Sequence, residues 1–103
     1  MSILHLNKGN FREVINSNEL IVVDFWASWC GPCRMLGEEL ETINHTHPEI
    51  VIGKINVDEE RDLAMEFQIR SIPQVFIFKN GKIVESITGY VNSEELLGVI
   101  KKC

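Results

Sequence analysis

Seven consecutive residues, Leu20-Ile-Val-Val-Asp-Phe-Trp26, are apolar on both alternating faces except at Asp24. A strand points successive side chains to opposite sides, so such a run requires cover on both faces, as in the middle of a sheet wrapped by helices. The fold class is therefore α/β, and the flanking sequence must supply the outer layers. With 103 residues, 45% of them hydrophobic, the chain is expected to form one domain over 1–103 around one core.

The neighbours of that strand read accordingly. After Ala27, Ser28 and Trp29, the residues Cys33, Leu36, Leu40 and Ile43 recur at helical spacing until Pro48, which predicts a helix starting near Cys30. Ile50 to Val57 is a second strand, and a strand–helix–strand unit makes the two strands parallel. Upstream, Ile3 to Leu6 is short and apolar, and Asn10 is positioned to cap a helix whose inward face is Phe11, Val14 and Ile15. Downstream, Asp58 is expected to cap a helix carrying Leu63, Ala64 and Phe67 inward. Val75 to Lys79 and Lys82 to Thr88 flank Asn80-Gly81, a strong hairpin signal, so the sheet is mixed. Asn92 and Glu95 have capping-box spacing before Leu96, Leu97 and Ile100, and Lys101 and Lys102 complement the negative end of that last helix.

Several functions are disfavoured by charge and patterning. Fifteen acidic residues against ten basic ones give a formal charge of −5 with no Lys/Arg cluster, so neither nucleic acid nor an anionic membrane is an expected partner. The longest apolar run, Leu20 to Val23, is far short of the roughly 20 residues of a membrane helix. The first residues lack the pattern of a secretory signal, and a cytoplasmic location is expected. No dinucleotide fingerprint or phosphate-binding glycine loop is present, so no cofactor is expected. Three cysteines are too few and too oddly numbered for a stapled secreted scaffold, which turns attention to cysteine chemistry.

Cys30-Gly31-Pro32-Cys33 lies where the buried strand hands over to a helix. Positions three apart on a helix are close enough for a disulfide that opens and closes locally. In the first turn the backbone N–H groups lack intrahelical partners and the helix dipole is positive, so a thiolate at Cys30 is favoured over its thiol. Cys33, one turn deeper, should be less exposed. Cys30 is then the attacking thiolate, and Cys33 the thiol that resolves the mixed disulfide. Pro32 suits a first turn because its missing N–H costs no helical bond. The competing reading is half of a structural zinc site completed by Cys103, His5, His45 or His47; the redox reading is preferred because only one Cys-x-x-Cys exists and the other ligands are scattered.

The stretch Trp26-Ala-Ser-Trp-Cys-Gly-Pro-Cys-Arg-Met resembles the active-site segment of the thioredoxin family. Val23-Asp24-Phe25, Lys54 with Asn56-Val57-Asp58, Ile72-Pro73, Phe78-Lys-Asn-Gly81 and Gly89 follow in that family's order and spacing, so the resemblance spans nearly the whole chain. It implies a mixed five-stranded sheet flanked by four helices, reduction of disulfide-containing protein substrates, and recharging by an external flavin- or ferredoxin-linked thioredoxin reductase. A monomer is expected. The alternative within this resemblance is a subunit that docks on one partner without general turnover. Gly31-Pro32 between the cysteines matches the thioredoxins, whereas related isomerases and oxidases usually carry His or Tyr there. At Gly37-Glu38 the chain departs from the many thioredoxins that have a helix-kinking proline.

The resemblance also implies roles for single residues. Asp24 is expected to be buried with a raised pKa and to accept a proton from Cys33. Lys54, on the strand beside it, is expected to pair with Asp24; by pattern alone a solvent-facing lysine is as good a reading. Trp29, Gly31, Pro32, Ile72, Pro73 and Gly89 are expected to form a flat rim that receives substrate, with Ile72-Pro73 in cis on the family resemblance. Trp26 is read as core, Glu38, Glu39 and Glu41 as a solvated face, the histidines as surface residues, and Cys103 as an inert, mobile, exposed terminal thiol.

Overall fold

A computed structural model describes residues 3–103. Its elements are β1 (Leu4–His5), α1 (Phe11–Ser17), β2 (Leu20–Trp26), α2 (Gly31–Thr46), β3 (Val51–Asn56), α3 (Arg61–Glu66), β4 (Gln74–Lys79), β5 (Lys82–Thr88) and α4 (Ser93–Lys101). The five strands form one sheet in the order β1-β3-β2-β4-β5. β1 and β2 run parallel to β3, while β4 is antiparallel to both β2 and β5, so the sheet is mixed and β2 is its central strand.

The alternation along β2 divides the core. Ile21, Val23 and Phe25 pack with Phe11 and Ile15 of α1 and Leu63 of α3 on one face. Val22 packs with Leu36, Leu40 and Ile43 of α2 and Leu96 and Ile100 of α4 on the other. Phe67, just beyond α3, meets Phe11, Phe25, Phe76 and Phe78 at ring separations of 5.4 to 6.0 Å, a set of edge and tilted aromatic contacts that closes the first face. Each such buried aliphatic or aromatic side chain contributes about 1.5 to 3 kcal/mol. Position 24 lies on the α2 face, where an aliphatic side chain would add to this total and a carboxylate does not.

Two expected caps are corrected. Asn10 sits at the start of α1, but its side chain makes no capping bond to the helix. Its Oδ1 instead accepts from the Asn7 N–H at 2.8 Å, and Asn7 Oδ1 accepts from Gly9 and Asn10. Helix α3 begins at Arg61 rather than directly after Asp58, because the Asn56 side chain takes the Asp58 N–H at 2.9 Å and holds a turn there first. The last helix behaves as its sequence indicates, with Asn92 Oδ1 accepting from the Glu95 N–H at 2.8 Å. At Asn80-Gly81 both residues have positive φ, 52° and 83°, as the tight β4–β5 turn demands. Hydrogen bonding along α2 runs unbroken through Gly37 and Glu38. No helix among the described residues is long and apolar enough to cross a membrane.

Candidate active site

Strand β2 ends at Trp26, and four residues later the chain enters α2 with Cys30 as its N-cap. A cap residue presents its side chain to the unpartnered N–H groups of the first turn, and here the acceptor is sulfur: Cys30 Sγ takes the Cys33 N–H at 3.2 Å. Pro32 lies within that turn, where its missing N–H costs nothing. The Arg34 guanidinium, 3.0 Å from the Ser28 carbonyl, fastens the connecting loop to the helix. Cys30 and Cys33 are joined by a disulfide with their Cα atoms 5.2 Å apart. Cys30 is 6% exposed and Cys33 1%, the order expected from their places on the helix.

The loops opposite approach the outer sulfur. Cys30 Sγ lies 3.8 Å from the Ile72 carbonyl oxygen, next to the cis Ile72-Pro73 bond. The Pro73 carbonyl accepts the Gly89 N–H at 2.9 Å, which draws the end of β5 to the same place. Gly89 has φ 92°, a conformation that L side chains rarely adopt. A Cβ built at Gly31 or Gly89 would meet no atom within 4 Å, so both glycines keep the surface flat rather than making room for a neighbour. Trp29 is 67% exposed and is held by its indole N–H, which donates to Asp58 at 2.8 Å. Sequence reasoning missed this use of Asp58: the partner is 29 positions away and no local periodicity reports it.

Asp24 is fully buried, and neither of its carboxylate oxygens has a hydrogen-bond partner. Desolvation pushes its pKa up to about 7, against a smaller lowering by Lys54. The expected Asp24–Lys54 ion pair is corrected. The two are register neighbours on β2 and β3, yet the ion pairs among the described residues are Lys8–Asp62 and Arg12–Glu66. The Lys54 ammonium sits over the half-buried Trp26 ring, 4.5 Å from its centroid, where the ring's negative face holds it.

Two further expectations change. Cys103 is half-buried against the α2–α4 core, with its thiol donating to the Val99 carbonyl at 3.4 Å, so it is not an exposed tail. Glu39 does not belong to a solvated face: its carboxylate accepts from the Tyr90 hydroxyl at 2.9 Å and the Ser93 N–H at 2.7 Å. Among the described residues no three His, Cys, Asp or Glu side chains gather as a metal site.

The thioredoxin family model matches residues 2–102. The chain belongs to the thioredoxin family. A thioredoxin from Griffithsia pacifica is 43% identical over 104 residues, covering 99% of this chain and 95% of that protein. A mitochondrial thioredoxin from Bos taurus is 39% identical over 91 residues, covering 87% of this chain and 55% of that protein. The solved Plasmodium falciparum thioredoxin superposes with a TM-score of 0.88 at 33% identity, over 97% of this chain and 98% of that one. With the cysteine pair at the head of α2, the chain is a protein disulfide oxidoreductase. Members of the family act on disulfide substrates and are recharged by a reductase.

Proposed function

We propose that the chain is a general reductant of protein disulfides in which Cys30 attacks and Cys33 resolves. The observation that carries this reading is the cap: Cys30 Sγ accepts the Cys33 N–H, the position where negative charge on sulfur is best stabilised. In the dithiol form the Cys30 thiolate attacks one substrate sulfur, and the substrate's other sulfur leaves as a thiolate that takes up a proton. Cys33 then gives up its proton, its sulfur attacks Cys30, and the second substrate thiolate departs. One substrate disulfide has become two thiols, and Cys30–Cys33 carries the two oxidising equivalents until an external reductase, flavin- or ferredoxin-linked, returns them.

Asp24 takes the proton from Cys33 in this scheme. A carboxyl with its pKa near 7 is matched to that task at neutral pH, and its burial beneath α2 supports the assignment. Lys54 biases Asp24 through space. Trp29, Gly31, Pro32, Ile72, Pro73 and Gly89 receive an extended substrate segment, a reading supported by the bare glycines and by the Ile72 carbonyl beside Cys30. A cytoplasmic, monomeric single domain completes the proposal; cell fractionation and light scattering test those two points.

The central test is trapping. Cys33→Ser is expected to accumulate mixed disulfides with many proteins of an extract, all released by added thiol, while Cys30→Ser traps none and reduces nothing. Equal trapping by both variants reverses the roles, and capture of a single protein favours a dedicated subunit over a general reductant.

A further inference from the structure

Glu39 of the active-site helix hydrogen-bonds the segment that follows Gly89. Its carboxylate takes both the Tyr90 hydroxyl, at 2.9 Å, and the Ser93 N–H, at 2.7 Å, across more than 50 positions of sequence. Ser93 is the first residue of α4, so the carboxylate also meets the positive end of that helix, whose Glu95 N–H is already taken by Asn92. These are charge-assisted bonds to a carboxylate held below its ordinary pKa, first by the Ser93 N–H and then by the Tyr90 hydroxyl. A lone glutamate on a helix surface would spend its side-chain freedom in solvent. This one gives it up for two long-range bonds.

The segment so held is tied to the cysteine pair through Ile72-Pro73. Cys30 Sγ is 3.8 Å from the Ile72 carbonyl, the Pro73 carbonyl binds the Gly89 N–H, and Tyr90 follows directly. Tyr90 is 40% exposed even though its hydroxyl is engaged, so its ring faces outward with its tip fixed. An aromatic side chain with few rotatable bonds, already immobilised, loses little entropy on contact and makes a good preformed docking element.

We propose that Glu39 is a positioning residue for substrate capture, which straps the Gly89–Ser93 segment to the active-site helix and holds Tyr90 as a rigid contact for the flank of a long polypeptide substrate. The inference rests on the reading of the rim given above. Tyr90 follows the rim residue Gly89 rather than lining the cysteine pair itself, so its ring is placed to meet residues that flank the reacting cysteine and not the disulfide. Small disulfides do not reach it.

The test uses the full chain and two peptide disulfides that share the same reacting centre, one of blocked cysteines alone and one with about six flanking residues on each side. In Glu39→Ala and Tyr90→Ala the KM for the long peptide is expected to rise about fivefold with kcat unchanged, while the short peptide shows no change. Glu39→Gln, which keeps an acceptor, should recover most of the affinity, and Tyr90→Phe, which keeps the ring and the Ser93 bond and loses only the hydroxyl bond, should fall between. If Glu39→Ala does not fold, the Glu39→Gln and Tyr90→Phe comparison decides. An unchanged long-peptide KM in every variant overturns the inference while leaving the reductase reading standing, as does an equal loss with both peptides. Failure of the unsubstituted chain to reduce either peptide overturns both.

Discussion

Asp24 and Lys54 stand opposite each other on adjacent parallel strands, and the lysine ammonium is held by the Trp26 ring instead of the carboxylate. A direct bond would satisfy one oxygen of Asp24 and pull its pKa down. Without it desolvation prevails, and the group titrates near neutrality in the middle of a hydrophobic layer. The sheet thus brings the charges to the same register while the ring sets how strongly they interact.

Asp24→Asn is expected to stabilise the fold at alkaline pH. The folded pKa, about 7, lies above the usual carboxylate value. Between about pH 4 and 7 the folded chain therefore keeps a proton that the unfolded chain has released, and the stability due to this group falls as pH rises through that window. Above it the full penalty applies, of order 4 kcal/mol at about 1.4 kcal/mol per unit. Asparagine removes the charge but remains a buried polar group, so the gain should be about 2 to 4 kcal/mol at pH 8.5 and close to zero at pH 4. Urea unfolding at both pH values measures it. Parallel curves at the two pH values would show that Asp24 carries no such penalty.

Lys54→Met tests the through-space contribution. Lys54 lowers the Asp24 pKa without bonding to it, so its removal should move the pH profile of the resolving step to higher pH by less than about one unit. Rapid-mixing measurement of substrate release from the mixed disulfide across pH 6 to 9 reports it. A shift to lower pH would contradict the assigned sign.

What could be read from the sequence divides along the range of the interactions. β2 was legible because seven successive residues carry the same message, and α2 because Cys33, Leu36, Leu40 and Ile43 repeat it. The cysteine pair was legible because its chemistry follows from where the strand ends. Asn10, Asp58 and Glu39 were misread for one reason: a polar side chain chooses among several partners, and the choice is made by folded geometry. Asn10 was claimed by the Asn7 turn, Asp58 by the Trp29 indole and Glu39 by a loop 51 positions away. Lys54 was placed correctly by register and misassigned in contact, since a cation–π site on Trp26 has no linear signature.

Cys103 should react slowly. Burial first, and then the charge of Glu85, raise its thiol pKa, and the Val99 carbonyl accepts its proton. In the reduced protein at pH 7, alkylation followed by peptide mapping is expected to modify Cys30 first, Cys103 severalfold later and Cys33 last. Cys103 reacting ahead of Cys30 would mean that the end of α4 is open in solution.

Gly37→Ala couples the helix to the buried charge. Glycine inside a helix costs about 0.8 to 1 kcal/mol relative to alanine, so the substitution starts with a gain of that size. The added Cβ would meet only the Lys54 Nζ, at 3.4 Å, the far end of a flexible side chain that can give way. A net stabilisation of about 0.5 to 1 kcal/mol is therefore expected. The direction in which the ammonium gives way has its own consequence. Displaced toward Asp24, it lowers that pKa and makes the fall in stability between pH 4 and 7 shallower; displaced outward, it weakens the Trp26 contact and makes the fall steeper. Since a cation is drawn to Asp24, the buried carboxylate on its own face of the sheet, the shallower curve is the expected one. Urea unfolding of Gly37→Ala at pH 4, 6 and 8, repeated in the Lys54→Met background, separates the two effects: the helix gain should persist without the lysine, and the change in pH dependence should vanish. Persistence of that change in the double variant would show that Gly37 acts on Asp24 by some route other than Lys54.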